Sequence, residues 1–451
     1  NVYFDCYRLN GEKLWRIDLG RNIRAGAHYT QFMVFDLDGD GKAEIVMKTS
    51  DGTVDGKGKV IGDARADYRE AGVADDSSRG NTPRNQGRIL TGNEYLTVFN
   101  GQTGEAMKTI DYVPLRGDIS AWGDPRANRC DRFLACVTYL DGVHPSVVMC
   151  RGYYTRTVLA AFDWDGKDLK QRWVFDSNNP GCGDYAGQGN HNLRVGDVDG
   201  DGCDEIIYGS CAINNDGKGL YSTGMGHGDA IHMTQFSPTM KGLQVWDCHE
   251  NKKDGSSFRS AATGEVLFQV KSSMDVGRCM AADIDPRNPG LEMWSSDSHG
   301  VRNIKGEVVR PTTKSIPVNM AVWWDGDLLR ELLDKNRVSK YDWETDECKT
   351  LVTFEGTMSN NGTKSNPALQ GDIIGDWREE VLLRTEDNSA LRLYVSPIAT
   401  DYRFHTFLED PVYRISIATQ NVAYNQPTQP GFYFGPDLKK GIFRGYEFKK
   451  K

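Results

Sequence analysis

Asp36-Leu37-Asp38-Gly39-Asp40-Gly41-Lys42-Ala43-Glu44 runs straight into Ile45-Val46-Met47. Nearly the same string returns as Asp197-Val198-Asp199-Gly200-Asp201-Gly202-Cys203-Asp204-Glu205, followed by Ile206-Ile207-Tyr208. Alternating carboxylates that close on a Gly turn make a loop able to wrap a hard cation with oxygen atoms. The apolar run behind each loop reads as a buried strand. Loop and strand together form one unit, used more than once. An EF-hand is excluded, because its glutamate stands twelfth, between helices. Here the glutamate is ninth, Met47 is twelfth from Asp36, and the flanks are β-like.

Working outward, weaker copies lie at Asp283-Ile284-Asp285 through Glu292 and at Asp372 through Glu380, with the faintest at Asp325-Gly326-Asp327. The spacing of the two strong copies is similar to the calcium loops of FG-GAP-type propeller blades. It makes Asp36, Asp38, Asp40 and Glu44, and Asp197, Asp199, Asp201 and Glu205, the expected Ca²⁺ ligands. The plain alternative, an Asp-Gly turn satisfied by its own backbone, suits the weaker copies better.

Short strands separated by tight turns fill the rest of the chain. Val2 to Leu19 reads as a hairpin about Asn10-Gly11. Residues 51–94 and 209–242 read as excursions, the kind of long loop that is usually functional. Asp327 to Lys335 is the best candidate for a helix. Many short strands with a recurring loop predict an all-β repeat fold. The strands amount to about seven and a half units at four strands per blade. A β-propeller fits best, its incomplete first blade finished by strands before Asn1 or by Gly431-Phe432-Tyr433-Phe434. A pair of β-sandwiches is the alternative.

The 451 residues, 38% hydrophobic, contain no run near the roughly 20 apolar residues that a membrane span needs. A net charge of −9 argues against nucleic-acid binding. It leaves room for an acidic substrate if bound cations offset the charge. Ten cysteines without a Cys-x-x-Cys pair indicate neither a zinc ribbon nor a thioredoxin-type site, and leave both disulfides and free thiols open. The chain opens inside a strand-like run with no signal peptide in view, and its start reads as a cut end.

Three of the eight histidines, His191, His227 and His232, lie close in sequence to Asp229 and Glu250. Gly226-His227-Gly228-Asp229 sets an imidazole and a carboxylate two apart, a mixed N/O set suited to Mn²⁺, Mg²⁺ or Ca²⁺. A hydrogen-bonding histidine is the plainer reading. Ser359 to Pro367 is dense in polar groups and is not a P-loop. It reads as a solvated loop or as a sugar-binding loop carrying Lys364. Gln420 to Pro427 and Asp275 to Arg278 are further polar stretches, each ordinarily structural.

Several strings in this order resemble family 11 polysaccharide lyases, the rhamnogalacturonan lyases. They are Leu14 to Gly20, Ala27 to Met33, Glu94 to Phe99, Gly189-Asn190-His191-Asn192, Gly226 to His232, Val276-Gly277-Arg278 and Asn361 to Lys364. The resemblance implies one eight-bladed β-propeller domain over residues 1–451, starting part-way through its first blade and binding several Ca²⁺ ions. It implies β-elimination between rhamnose and galacturonic acid in rhamnogalacturonan I. Lys364 would be the base, Arg278 the charge stabiliser, and Tyr424 a sugar contact or proton donor. Asn361, Gly362 and Thr363 would hold substrate, while His191, His227, Asp229 and Glu250 would hold an ion, Ca²⁺ or else Mg²⁺ or Mn²⁺. A secreted or periplasmic monomer acting on a pectic polysaccharide is the expectation. A non-catalytic propeller binding acidic glycan or protein through calcium is the other function class considered.

Overall fold

The computed structural model describes residues 1–72, 86–438 and 449–450. It is all-β, with eight four-stranded antiparallel sheets that are the blades of a β-propeller. Two compact units divide the chain. One comprises Asn1–Gly187 with Asp216–Lys218, and the other Gln188–Asn215 with Gly219–Lys451.

The first unit carries three blades, and its first two interleave. Val2–Tyr7 and Lys13–Gly20 begin blade one, and Phe32–Phe35 and Glu44–Ser50 begin blade two. The chain then returns to blade one with Thr53–Val54 and Val60–Ile61, pairing Asp18 with Val54, before Glu94–Asn100 and Ala106–Asp111 complete blade two. The 51–94 stretch is therefore partly sheet, with residues 73–85 outside the described residues. Blade one takes its remaining strands from here and not from 431–434, which is not a strand.

The second unit carries blades four to eight. The presumed excursion at 209–242 holds three strands, Cys211–Ile213, Gly219–Ser222 and Ala230–Thr234. The expected helix at 327–335 is also absent, because Glu331–Asp334 is the second strand of blade seven. The Leu328-Leu329 and Leu332-Leu333 doublets imitate helical spacing, yet Glu331 is held at the strand's start by accepting from Trp324 and Asp325 N–H. Among the described residues the α-helix is Pro411–Ala418, started by Asp410 as N-cap and by proline in the first turn. No described helix is long and apolar enough to cross a membrane.

Burial follows position within a blade. The second strand Glu44–Ser50 is buried throughout, since it pairs on both edges and packs on both faces, so its sequence reads as a continuous run. The fourth strand Glu347–Thr353 is mostly exposed and polar. Each Asp loop joins the first strand of a blade to its second.

The loops share one geometry. Glu44 Oε2 accepts Leu37 N–H at 3.0 Å, and Glu205 Oε2 accepts Val198 N–H at 3.1 Å. Asp36 accepts from Gly39 and Gly41, and Asp197 from Gly200 and Gly202, all four glycines having positive φ. That conformation penalises any residue with a Cβ, which explains the repeated Asp-Gly pairs.

Candidate active site

The residues expected around the chemistry gather at the other end of the second unit's blades, where the first strands begin. His191 lies on Gly189–Gly196 of blade four, and His227 and Asp229 precede Ala230–Thr234 of blade five. Glu250 follows Gln244–Cys248, the strand paired with Ala230–Thr234, so it returns to the same end. Arg278 precedes Cys279–Ala282 of blade six.

Lys364 arrives by a different device. Thr357–Met358 and Leu369–Gly371 both pair with Glu380–Thr385, Met358 opposite Arg384 and Leu369 opposite Leu382. Residues 359–368 thus leave the ladder where one residue would have continued it. Asn360 and Asn366 close the neck with reciprocal N–H···O bonds of 2.7 and 3.0 Å. Asn361, Gly362 and Ser365 all take left-handed φ. Asn and Gly adopt it readily, whereas at Ser365 it is strained. Asn361, Gly362 and Thr363 are exposed, while Lys364 turns inward.

His191, His227, Asp229 and Glu250 converge, one ligand atom from each lying within 4.8 Å of the others. His191 Nε2 is 3.2 Å from Asp229 Oδ1, and His227 Nε2 is 3.3 Å from Glu250 Oε1. His227 Nδ1 faces the Gly189 carbonyl. A carbonyl only accepts, so Nδ1 carries the hydrogen and the Nε2 lone pair faces the cluster. That tautomer and two adjacent carboxylates fit a divalent cation. Asp275 stands nearby, raised above the ordinary carboxylate range by burial and by Glu250 and Asp229.

Lys364 Nζ donates to Asp229 Oδ2 and, at 2.6 Å, to the Gly277 carbonyl. Tyr424 completes the group, its ring 4.9 Å from Lys364 Nζ and 4.4 Å from the His191 ring. Its backbone N–H donates to the His191 carbonyl at 3.0 Å.

Arg278 is differently placed. It is 4% exposed and donates to Asn319 Oδ1 at 3.1 Å and to the Asn319 carbonyl at 2.6 Å. Burial pulls it below its ordinary value. Asn319, which no motif marks, also donates to the Thr363 carbonyl at 3.1 Å and to Asp334. One amide therefore ties Arg278 to the Lys364 loop. Its only sequence signal is its position immediately before the strand Met320–Val322. His232 leaves the cluster altogether and meets the Cys279 carbonyl in the core.

At the Asp loops, Asp36, Asp38 and Asp40 converge in one set and Asp197, Asp199 and Glu205 in another. Glu44 and Asp201 serve the loop backbones, accepting from Leu37 and Cys203. Burial, aided by the neighbouring aspartates, pushes Glu44 up to about 6 and Glu205 up to about 7. Glu205 Oε1 is buried with no hydrogen-bond partner, as a cation-ready oxygen would be. The residues fit a hard cation.

Residues 1–442 match the family model described as rhamnogalacturonan lyase family 11, C-terminal domain. The chain belongs to rhamnogalacturonan lyase family 11. This family 11 chain is 55% identical over 456 residues to rhamnogalacturonan exolyase YesX of Bacillus subtilis, a match covering 97% of the chain and 72% of the relative. It is 54% identical over 442 residues to endolyase YesW of the same strain, covering 97% and 68%. Among solved structures, the Bacillus licheniformis rhamnogalacturonan lyase PL11 matches with a TM-score of 0.92 at 55% identity, over 97% of this chain and 72% of that one. The YesW crystal structure matches with the same TM-score at 54% identity, over 97% and 72%. The eight-bladed fold is theirs too.

Proposed function

We propose that this family 11 chain is a rhamnogalacturonan lyase that cleaves the bond between rhamnose and galacturonic acid by β-elimination. The observation that carries this reading is the amine of Lys364, held beside the cation-ready cluster of His191, His227, Asp229 and Glu250. Support comes from the two Bacillus subtilis relatives, one a rhamnogalacturonan exolyase and the other an endolyase.

Elimination removes the proton on C5 of the uronate, forms the C4–C5 double bond and breaks C4–O. The hard step is deprotonation beside a charged carboxylate. Asp229 Oδ2 and the Gly277 carbonyl both accept from Lys364 Nζ, which fixes the orientation of the amine for its part as the base that takes the C5 proton. His191, His227, Asp229 and Glu250 hold a divalent cation, Ca²⁺ or Mn²⁺ or Mg²⁺. Such a cation supplies Lewis-acid stabilisation of negative charge. Arg278 contributes a fixed positive charge felt by Asp229 and Tyr424, without direct contact to sugar. Tyr424 offers its ring face to the sugar and its phenol to the leaving oxygen, which takes up a proton. Asn361, Gly362 and Thr363 form the exposed rim that receives substrate. The Asp36 and Asp197 loops hold Ca²⁺ as scaffold ions. A polymeric pectic substrate favours a secreted or periplasmic location.

The test is incubation with rhamnogalacturonan I, with polygalacturonate as control. The ultraviolet absorbance of unsaturated uronate is expected to rise with the first polymer alone, and chelator is expected to stop it. No rise with rhamnogalacturonan I would overturn the proposal.

A further inference from the structure

Blade seven carries an Asp loop whose three convergent acids, Asp325, Asp327 and Glu331, resemble those of the stronger copies. One feature separates it from them. Lys340, on the third strand Arg337–Asp342, reaches all three carboxylates. Its Nζ lies 2.6 Å from Asp327 Oδ2 and 3.1 Å from Glu331 Oε1, and it also contacts Asp325 Oδ2.

We infer that the Lys340 ammonium is the resident cation of this loop, which is thereby closed to divalent ions while other loops of the same design stay open to them. The inference rests on the reading that the Asp36 and Asp197 loops bind cations.

Two observations carry it. The first is cross-strand position. Glu44 pairs with Asn100. One step beyond the pairs Ile206 with Ile213, Met293 with Arg302, and Leu332 with Ser339 stand Glu205 opposite Asn214, Glu292 opposite Asn303, and Glu331 opposite Lys340. Three loop glutamates face asparagine, and that of blade seven faces lysine. Asn100 and Asn303 are turn-formers, Asn100 accepting from Gln102 and Thr103 and Asn303 from Lys305 and Glu307, while Asn214 donates to Asn215 Oδ1. They are neutral, and a short amide does not bring a cation to the loop.

The second observation is the glutamate oxygen that the backbone leaves over. In blades four and six it is Glu205 Oε1 and Glu292 Oε1, both buried and without a hydrogen-bond partner. In blade seven, Glu331 Oε2 accepts Trp324 and Asp325 N–H, and the remaining oxygen accepts Lys340. The lysine therefore sits where the other loops have unmet oxygen. A point charge with three donors suits three carboxylates, whereas a divalent ion there would meet like-charge repulsion from the ammonium.

The experiment counts bound calcium per chain by equilibrium dialysis and atomic spectrometry on the whole protein. Asp327→Asn is expected to leave the wild-type count unchanged, while Asp199→Asn loses one ion. Lys340→Met is expected to gain one ion, and Lys340→Arg none. Loss of an ion in Asp327→Asn, or no gain in a folded Lys340→Met, would overturn the assignment. A wild-type chain with no bound calcium would instead overturn the loop reading beneath it.

Discussion

Asp229 is shared between Lys364 and His191: one carboxylate oxygen accepts from Lys364 Nζ and the other lies 3.2 Å from His191 Nε2. The proposed base and the proposed ion site are thus joined through a single side chain. Asp229→Asn keeps the shape but removes the charge that both partners use. Loss of a direct ligand is expected to exceed the 10–100-fold weakening typical of altered ligand support. Isothermal titration with Mn²⁺ should therefore show at least tenfold weaker binding at this site, and kcat should fall with it.

The scaffold loops give a separable effect. An ion bound only to the folded state adds about 2.7 kcal/mol at a hundredfold excess over Kd. Chelation is expected to lower Tm, and Asp199→Asn should lower Tm in calcium while leaving kcat per folded molecule nearly unchanged. Equal calcium dependence of Tm in variant and wild type would remove Asp199 from the ligand set.

Asp199 was legible because its loop closes within nine residues, so spacing alone carries the geometry. The Asp229–Lys364 contact was not, since 135 residues separate the partners. Only similarity to known strings pointed to that pair. The interleaving of blades one and two was equally hidden, because the Asp18–Val54 pairing is non-local. The helix expected at 327–335 failed for a related reason. Leucine doublets mimic a helical stripe, and the strand is fixed by Glu331 bonding back to Trp324 and Asp325. Asn319 and Lys340 gave no signal, as each acts on partners in other strands or blades.

Glu94 is a buried hub in the first unit, 2.8 Å from Lys48 and 2.6 Å from both Arg116 and Arg151. Burial pushes its carboxyl up, but Arg151, Lys48 and Arg116 more than offset this and hold it well below 4.5. A depressed folded value stabilises fully above the unfolded value and is lost as pH falls toward the folded one. Glu94→Gln is expected to cost about 3–5 kcal/mol at neutral pH, because it strands buried cations. In denaturant titrations, the gap to wild type should narrow below about pH 4.5. A gap that widened in acid would contradict this.

No disulfide joins the ten cysteines among the described residues, and Cys130, Cys136, Cys150, Cys211, Cys248 and Cys279 are buried. Burial pushes Cys130 and Cys211 up to about 12, which keeps them unreactive. Thiol titration in denaturant without reductant should find all ten, and reductant should leave Tm unchanged.

The central claim is that the amine of Lys364 takes the C5 proton. The most direct measurement is lyase rate on rhamnogalacturonan I for Lys364→Ala beside wild type, with Mn²⁺ affinity and Tm measured on the same samples. A general base contributes roughly 10²–10⁴-fold. The expected result is a loss of that size in kcat with the fold and the ion retained. A Lys364→Ala protein that kept full rate would contradict the account.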